Sequence, residues 1–301
     1  MSGSAPEADH PPGTLLRLAA FTSDPAGGNP AGVWVGATLP PAEEMQRIAA
    51  EVGYSETAFL VPDGSGAAGR FRVRYFSPLA EVPFCGHATI ASGVALADRG
   101  MSAPADRPGD PARLSFMTNG GLVEVATEPD AEGRTRATLT SIATSVEEVP
   151  PVLLDEALRL LGWHPAELDP ALPPAIGFAG ARHLILAARD RSRLATLDYP
   201  FEAVKALMLD HDLTTIQLVW REDARTFRAR DPFPVGGVVE DPATGAAAAA
   251  FGGYLRARGE IVAPASFEII QGVEMGRPSR LTVSIVPGEG GVRVAGNAVA
   301  I

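Results

Sequence analysis

At 301 residues, 46% hydrophobic and 20% charged, the chain has apolar material for a sizeable core and a length that suits two ordinary domains. Its single cysteine excludes an internal disulfide, and a formal charge of −11 with Lys and Arg scattered along the sequence excludes the positive patch that a nucleic acid or an anionic membrane needs. No apolar run reaches the ~18 residues of a membrane span, and Met1–Gly13, polar and rich in Pro and Gly, lacks the apolar centre of a signal peptide. The expectation is a cytoplasmic protein whose residues 1–13 form a disordered tail.

In chain order, the Gly-rich entry Asp24–Gly32 lacks the lysine of a phosphate loop and does not fit a dinucleotide fingerprint. Pro41 then starts a helix in which Glu43 and Glu44 complement the N-terminal dipole, Met45, Ile48, Ala49 and Val52 form an apolar stripe, and Gly53 ends the run. Glu56–Val61 reads as a strand. Phe71, Val73 and Tyr75 alternate with Arg70, Arg72 and Arg74, the period of a strand with one buried face. From Gly86 to Arg99 small residues predominate on every side, so this helix belongs in a crowded centre. Beyond the Pro-rich loop Met101–Pro111, strands are predicted at 113–116, 122–126, 136–140, 183–188, 267–271, 281–286 and 292–295. The acidic turn Glu128–Gly133 and the Gly288–Gly291 turn punctuate them.

The chain repeats itself once. Cys85–Gly100 and Thr244–Gly259, 159 residues apart, agree at seven of sixteen positions, and the same offset aligns the apolar residues of 43–61 with those of 202–220. Phe71–Arg74 matches Phe227–Arg230 at an offset of 156, so compensating length changes fall in loops. The expectation is an α/β (α+β) fold of two pseudo-symmetric domains, each a central helix wrapped by a mostly antiparallel, barrel-like sheet. The division is placed near residue 130, giving domains 14–130 and 131–291, with the C-terminal strand 292–301 a candidate member of the first. A cleft at the pseudo-twofold interface is then the expected position of a small-molecule site.

Polar residues that differ between related halves are the candidates for chemistry. Glu56 faces Thr215, His87 faces Ala246, and Asp241 faces Glu81 or Val82. A desolvated glutamate at the head of an apolar strand gains a pKa suited to acid and base work, while an exposed one is a strand end and nothing more. His87 at a helix start and Asp241 before Pro242 read equally as proton carriers or as caps. Both central helices begin at a glycine, Gly86 and Gly245, whose neighbouring N–H groups suit a carboxylate or a developing enolate; the competing reading is close helix packing. Cys85 faces Thr244 and reads as a small buried hydrophobe. One cysteine excludes a racemase with two opposed thiols. His10, His164, His183 and His211 show no paired ligand spacing, so no metal site is expected.

Taken together, Gly28-Asn29-Pro30, Tyr54-Ser55-Glu56-Thr57, Pro83-Phe84-Cys85-Gly86-His87-Ala88-Thr89, Glu240-Asp241-Pro242-Ala243-Thr244-Gly245 and Gly276-Arg277-Pro278-Ser279 resemble the phenazine-biosynthesis isomerase family, relatives of the diaminopimelate epimerases. The resemblance runs from about Leu15 to the C-terminus. It implies a diaminopimelate-epimerase-like fold, a homodimer, and acid/base isomerisation of a small carboxylate without metal or organic cofactor. The family's acid/base glutamate falls on Glu56, its assisting histidine and aspartate on His87 and Asp241, and its substrate contacts on Asn29, Gly86 and Gly245. The member acting on a dihydro-hydroxyanthranilate has serine where this chain has Ala246. The missing hydroxyl separates the reaction class, which carries over, from that substrate. Two other readings stay open: an amino-acid epimerase using Glu56, and a non-catalytic small-molecule binder.

Overall fold

The computed structural model describes residues 13–301, so the expectation for residues 1–12 lies outside the described residues. Gly13, counted with the tail, opens the first strand. In the first half, strands 13–20, 29–36, 56–62, 70–76, 112–118, 121–129 and 135–140 follow one another around a cylinder. The C-terminal strand Arg293–Ala300 closes it by pairing with both 135–140 and 13–20. Closure removes the free sheet edges that would otherwise recruit another strand. In the second half, strands 145–148, 175–178, 182–187, 215–221, 226–232, 265–271 and 279–285 run in the same manner and end on that same C-terminal strand.

Most pairings are antiparallel. The parallel ones join 29–36 to 56–62 and 70–76 to 112–118 in the first half, and 182–187 to 215–221 and 226–232 to 265–271 in the second. Parallel neighbours need a crossover, and helices supply it. Ala42–Val52 spans the first pair and Gly86–Ala97 lies between the strands of the second; Phe201–Asp210 and Gly245–Ala257 do the same in the other half. Gly86–Ala97 and Gly245–Ala257 are the central helices. Every residue from His87 to Leu96 is buried, and Ile90, Val94 and Leu96 are almost fully so, each such side chain contributing about 1.5–3 kcal/mol of burial. The helix has to be slim: a Cβ on Gly93 would stand 2.9 Å from Val125 and 3.1 Å from Ala137, and one on Gly252 would stand 2.9 Å from both Val283 and Val292. The outer helices cover the other face of the sheet, with Met45, Ile48, Ala49 and Val52 against Trp34, Phe59 and Phe76.

The repeat holds residue by residue. Helix 42–52 and strand 56–62 correspond at an offset of 159 to helix 201–210 and strand 215–221, and the central helices start at the same offset; strands 70–76 and 226–232 correspond at 156. Even an ion pair is duplicated: Arg74–Glu81 at 2.6 Å recurs as Arg230–Glu240 at 2.5 Å. The short pairings Phe76↔Glu81 and Pro232↔Glu240 place Asp241 opposite Val82 in the repeat, which settles that alignment.

Several elements carry no counterpart in the sequence-based reading. Helix Pro151–Leu161 adds Leu153, Ala157, Leu158 and Leu161 to a core beneath the second half's outer face, and strands 145–148 and 175–178 were too short to show a period. Hairpin 121–129/135–140 spans residue 130. We propose 141–144 as the division between the halves, since the chain there leaves the first barrel and enters the second half's sheet, with the C-terminal strand common to both.

Candidate active site

Glu56 is the first residue of its strand, paired with Ala31, and two residues before Ala31 the neighbouring strand opens with Asn29. His87 is the second residue of the first central helix, and Cys85 sits just before that helix in an extended conformation. This juxtaposition of a strand start with a helix start brings three reactive side chains together. His87 Nε2 lies 3.4 Å from Glu56 Oε2, and the Cys85 thiol donates to the same Oε2 at 3.4 Å while standing 3.4 Å from His87 Nδ1. The Ser55 hydroxyl is 3.3 Å from His87 Nε2. Glu56 is neither sealed nor free, with 17% of its side chain exposed, against 7% for His87. Burial and the charge of Glu56 push the Cys85 thiol well above its usual range, so it is protonated at neutral pH.

Asp241 comes from the second half and is fastened to the first. Asn29 Nδ2 donates to its Oδ1 at 2.8 Å and to the Ala243 carbonyl at 3.0 Å, and the Thr244 hydroxyl donates to its Oδ2 at 2.6 Å. Gln271 Nε2 donates to the Asp241 carbonyl at 2.7 Å. Burial raises the Asp241 carboxyl to about 6; the nearby His87 works against that rise and Glu56 adds to it, so the group stands within electrostatic reach of both.

Two sequence motifs far apart in the chain explain Asn29's position. Arg277 donates through Nε to the Gly28 carbonyl at 2.8 Å and through a terminal nitrogen to the Gly27 carbonyl at 2.6 Å, while Gly28 N–H donates to the Pro278 carbonyl at 3.0 Å. Gly28 has φ +68°, where a side chain is strained, and a Cβ there would also collide with Thr22 and the Ala20 carbonyl. The Gly28-Asn29-Pro30 and Gly276–Ser279 motifs are therefore the two sides of one clamp.

The packing explanation for the two helix-start glycines does not hold. A Cβ on Gly86 would meet nothing within 4 Å, and one on Gly245 would touch only Phe21 at an ordinary 3.6 Å. Neither helix start has a side-chain cap, and both face a cleft of about 570 Å³. Gly86, Gly245 and Ala246 line that cleft together with apolar Phe84, Leu122 and Ile142. Glu56, His87 and Asp241 are not among the residues lining it: Glu56 and His87 meet at the first helix start, and Asp241 is held just before the second by Asn29 and Thr244.

Sequence reasoning missed Cys85, Ser55, Thr244, Gln271 and Arg277 as parts of this assembly. For Cys85 a signal exists in the repeat, where its counterpart is Thr244. Cys85 is buried, yet it touches both Glu56 and His87. The donor atoms of Glu56, Cys85 and His87 all lie within 4.8 Å of one another, close enough to hold a metal ion. Ligand spacing along the chain could not show this, because a strand and a helix start supply the three. Among the described residues no helix is long and apolar enough to cross a membrane.

Comparison with known proteins agrees with this architecture. A family model described as "Phenazine biosynthesis-like protein" matches residues 18–301. Trans-2,3-dihydro-3-hydroxyanthranilate isomerase of Pseudomonas fluorescens is 34% identical over 266 residues, 86% of either chain. An uncharacterized isomerase of Deinococcus radiodurans is 32% identical over 275 residues, 89% of this chain and 85% of the relative. The crystal structure of a PhzF-family phenazine biosynthesis protein from Bacillus anthracis superposes with a TM-score of 0.83 at 26% identity, covering 95% of this chain and 96% of that one. A probable proline racemase from Agrobacterium radiobacter, 13% identical with a TM-score of 0.64 over 96% of this chain and 91% of its own, shares the fold. With a family match over nearly its whole length and relatives named as isomerases, this chain belongs to the phenazine biosynthesis-like isomerase family and has the diaminopimelate-epimerase-like fold its motifs implied.

Proposed function

We propose that the protein is an acid/base isomerase that shifts a proton between carbons of a small cyclic or unsaturated carboxylic acid, with its own side chains supplying every proton acceptor and donor. The observation that carries this reading is the placement of Glu56: partly buried, 3.4 Å from His87 and from Cys85, beside an uncapped helix start. Glu56 takes the proton from carbon. The negative charge that develops spreads into the substrate carboxylate, which the N–H groups at Gly86 and Gly245 hold against the positive ends of the two central helices. Glu56 then returns the proton to a different carbon, with His87 in reach to relay it. The apolar body of the substrate lies against Phe84, Leu122 and Ile142 in the cleft.

Asn29 acts here through Asp241, since both of its amide hydrogens are occupied by Asp241 and Ala243. Ala246 leaves the second helix start without the hydroxyl that a serine would present, which suits a substrate with one polar group fewer at that end. The substrate of the Pseudomonas relative is therefore a probe for this chain rather than its expected substrate.

A proton shift is favoured over inversion at carbon. Inversion needs an acid and a base on opposite faces, and the positions matching Glu56, Cys85 and His87 in the second half are Thr215, Thr244 and Ala246. Asp241, the acid that half does supply, has both oxygens engaged. The test is turnover of a panel of cyclic and unsaturated carboxylic acids by the wild-type protein and by Glu56→Gln, with folding followed by circular dichroism. The variant should be folded and inactive; full activity in it would sink the assignment.

A further inference from the structure

The proton shift described above gives the Cys85 thiol no task, although it is the third member of a tight group. Its Sγ stands 3.4 Å from Glu56 Oε2 and 3.9 Å from His87 Nε2, and those two atoms are 3.4 Å apart. A tetrahedral zinc ion, about 2.3 Å from sulfur and about 2.0–2.2 Å from nitrogen and oxygen, holds its donors about 3.3–3.6 Å apart. Two of the three edges already have that length. A small turn of the imidazole closes the third, as its other nitrogen, Nδ1, is 3.4 Å from Sγ.

We propose that Glu56, Cys85 and His87 form a binding site for a soft divalent cation, zinc foremost, whose occupancy reversibly blocks the isomerase. Thiol and imidazole select zinc over magnesium or calcium, which prefer oxygen donors alone. The partly exposed Glu56 side leaves a fourth position for water. On binding, the S–H bond breaks, a zinc–thiolate bond forms and the proton passes to solvent; no electron changes hands. The metal then occupies the carboxylate oxygen that would accept the substrate proton. The second half has Thr215, Thr244 and Ala246 at the matching places and cannot build a second such site, so the stoichiometry is one ion per chain. Blocking rests on the role proposed for Glu56, whereas binding does not.

The experiment is a titration of chelator-treated full-length protein with Co²⁺, followed by displacement with Zn²⁺. It should give one Co²⁺ per chain, a near-ultraviolet thiolate-to-cobalt charge-transfer band, intense visible bands of four-coordination, release of a proton, and loss of all bands when Zn²⁺ is added. Cys85→Ser should lose the charge-transfer band, and Glu56→Gln should keep it while binding more than about tenfold more weakly, the lower end of what losing even an outer partner of a metal costs. No charge-transfer band in saturated wild-type protein, or unchanged affinity in Glu56→Gln, would overturn the site whatever the enzyme's activity. In the same titration, turnover should fall in step with zinc occupancy and return on chelation. Zinc bound with turnover undiminished overturns the blocking half of the proposal.

Discussion

The two halves of this molecule share a backbone and differ in what they place at the head of the central helix. In the first half, Glu56, Cys85 and His87 meet at a partly open corner. The equivalent corner is sealed: His183 Nδ1 is 2.8 Å from the Thr215 hydroxyl, which donates to Asp231 Oδ1 at 2.8 Å, and Gln217, its amide turned to donate, reaches both Asp231 oxygens at 3.0 and 3.1 Å. Burial holds the Asp231 carboxyl well above its usual range and lowers His183 to about 3, so the imidazole is neutral at pH 7. In the proposed reading the first corner exchanges protons, while the second is closed polar packing. The second half sends Asp241 toward the first corner, and Asn29 fixes it from the other side. On the function proposed above, a duplicated fold carries one acid/base centre, and the equivalent corner of the other half is structural polar packing.

The largest effect expected from this contrast comes from exchanging like for like. Glu56→Gln should lower kcat/KM by about 10²–10⁴, the usual contribution of a positioned general base. Thr215→Val, at the equivalent position, should leave turnover nearly intact but destabilise the fold by about 1–3 kcal/mol by depriving buried Asp231 and His183 of a partner. Chemical denaturation alongside steady-state kinetics reads both, and equal kinetic losses in the two variants would remove the asymmetry.

Arg277→Met comes next. Releasing the Gly27 and Gly28 carbonyls should loosen Asn29 and through it Asp241, lowering kcat/KM by about tenfold or more, as a displaced positioning group does. Asp241 also sets an acid limit. Its carboxyl, raised to about 6, accepts hydrogen bonds from Asn29 and Thr244 when ionised, so kcat/KM should fall as pH drops through about 6, and Asp241→Asn should lose that limb. The sign for stability is opposite. A folded pKa above the ordinary carboxylate value means this group's stabilising contribution is present below pH ~3.9 and is lost as pH rises through about 6.

The smallest effects separate a helix start from a helix body. Gly86→Ala, with open space for its Cβ, should leave the melting temperature unchanged or slightly raised and weaken substrate binding severalfold. Gly93→Ala, seven residues along, should cost about 1–3 kcal/mol of stability by crowding Val125 and Ala137.

Much of this was legible in the sequence because duplication is a one-dimensional signal. The offsets of 159 and 156 located the outer helix, the strand after it, the central helix and the positions where the halves diverge, and those positions include Glu56 and His87. Short strands such as 145–148 and the helix 151–161 were not legible, and the C-terminal strand, though a candidate member of the first half, did not show that it also pairs with the second, since closure joins residues more than a hundred positions apart. The burial expected of Cys85 is found, but its neighbours were not legible for a related reason. A lone buried thiol is usually inert, and only the approach of a strand from 29 residues earlier brings Glu56 to its sulfur.

The most direct test of the central claim is turnover in heavy water followed by proton NMR, using the carboxylic acid that the panel identifies as substrate. If Glu56 carries the proton between carbons, the receiving carbon should gain deuterium only to the extent that the proton exchanges with solvent while on Glu56, the remainder being substrate hydrogen, the double bond should move without inversion at a stereocentre, and Glu56→Gln should show neither shift nor exchange. Undiminished deuterium incorporation in Glu56→Gln would contradict the account.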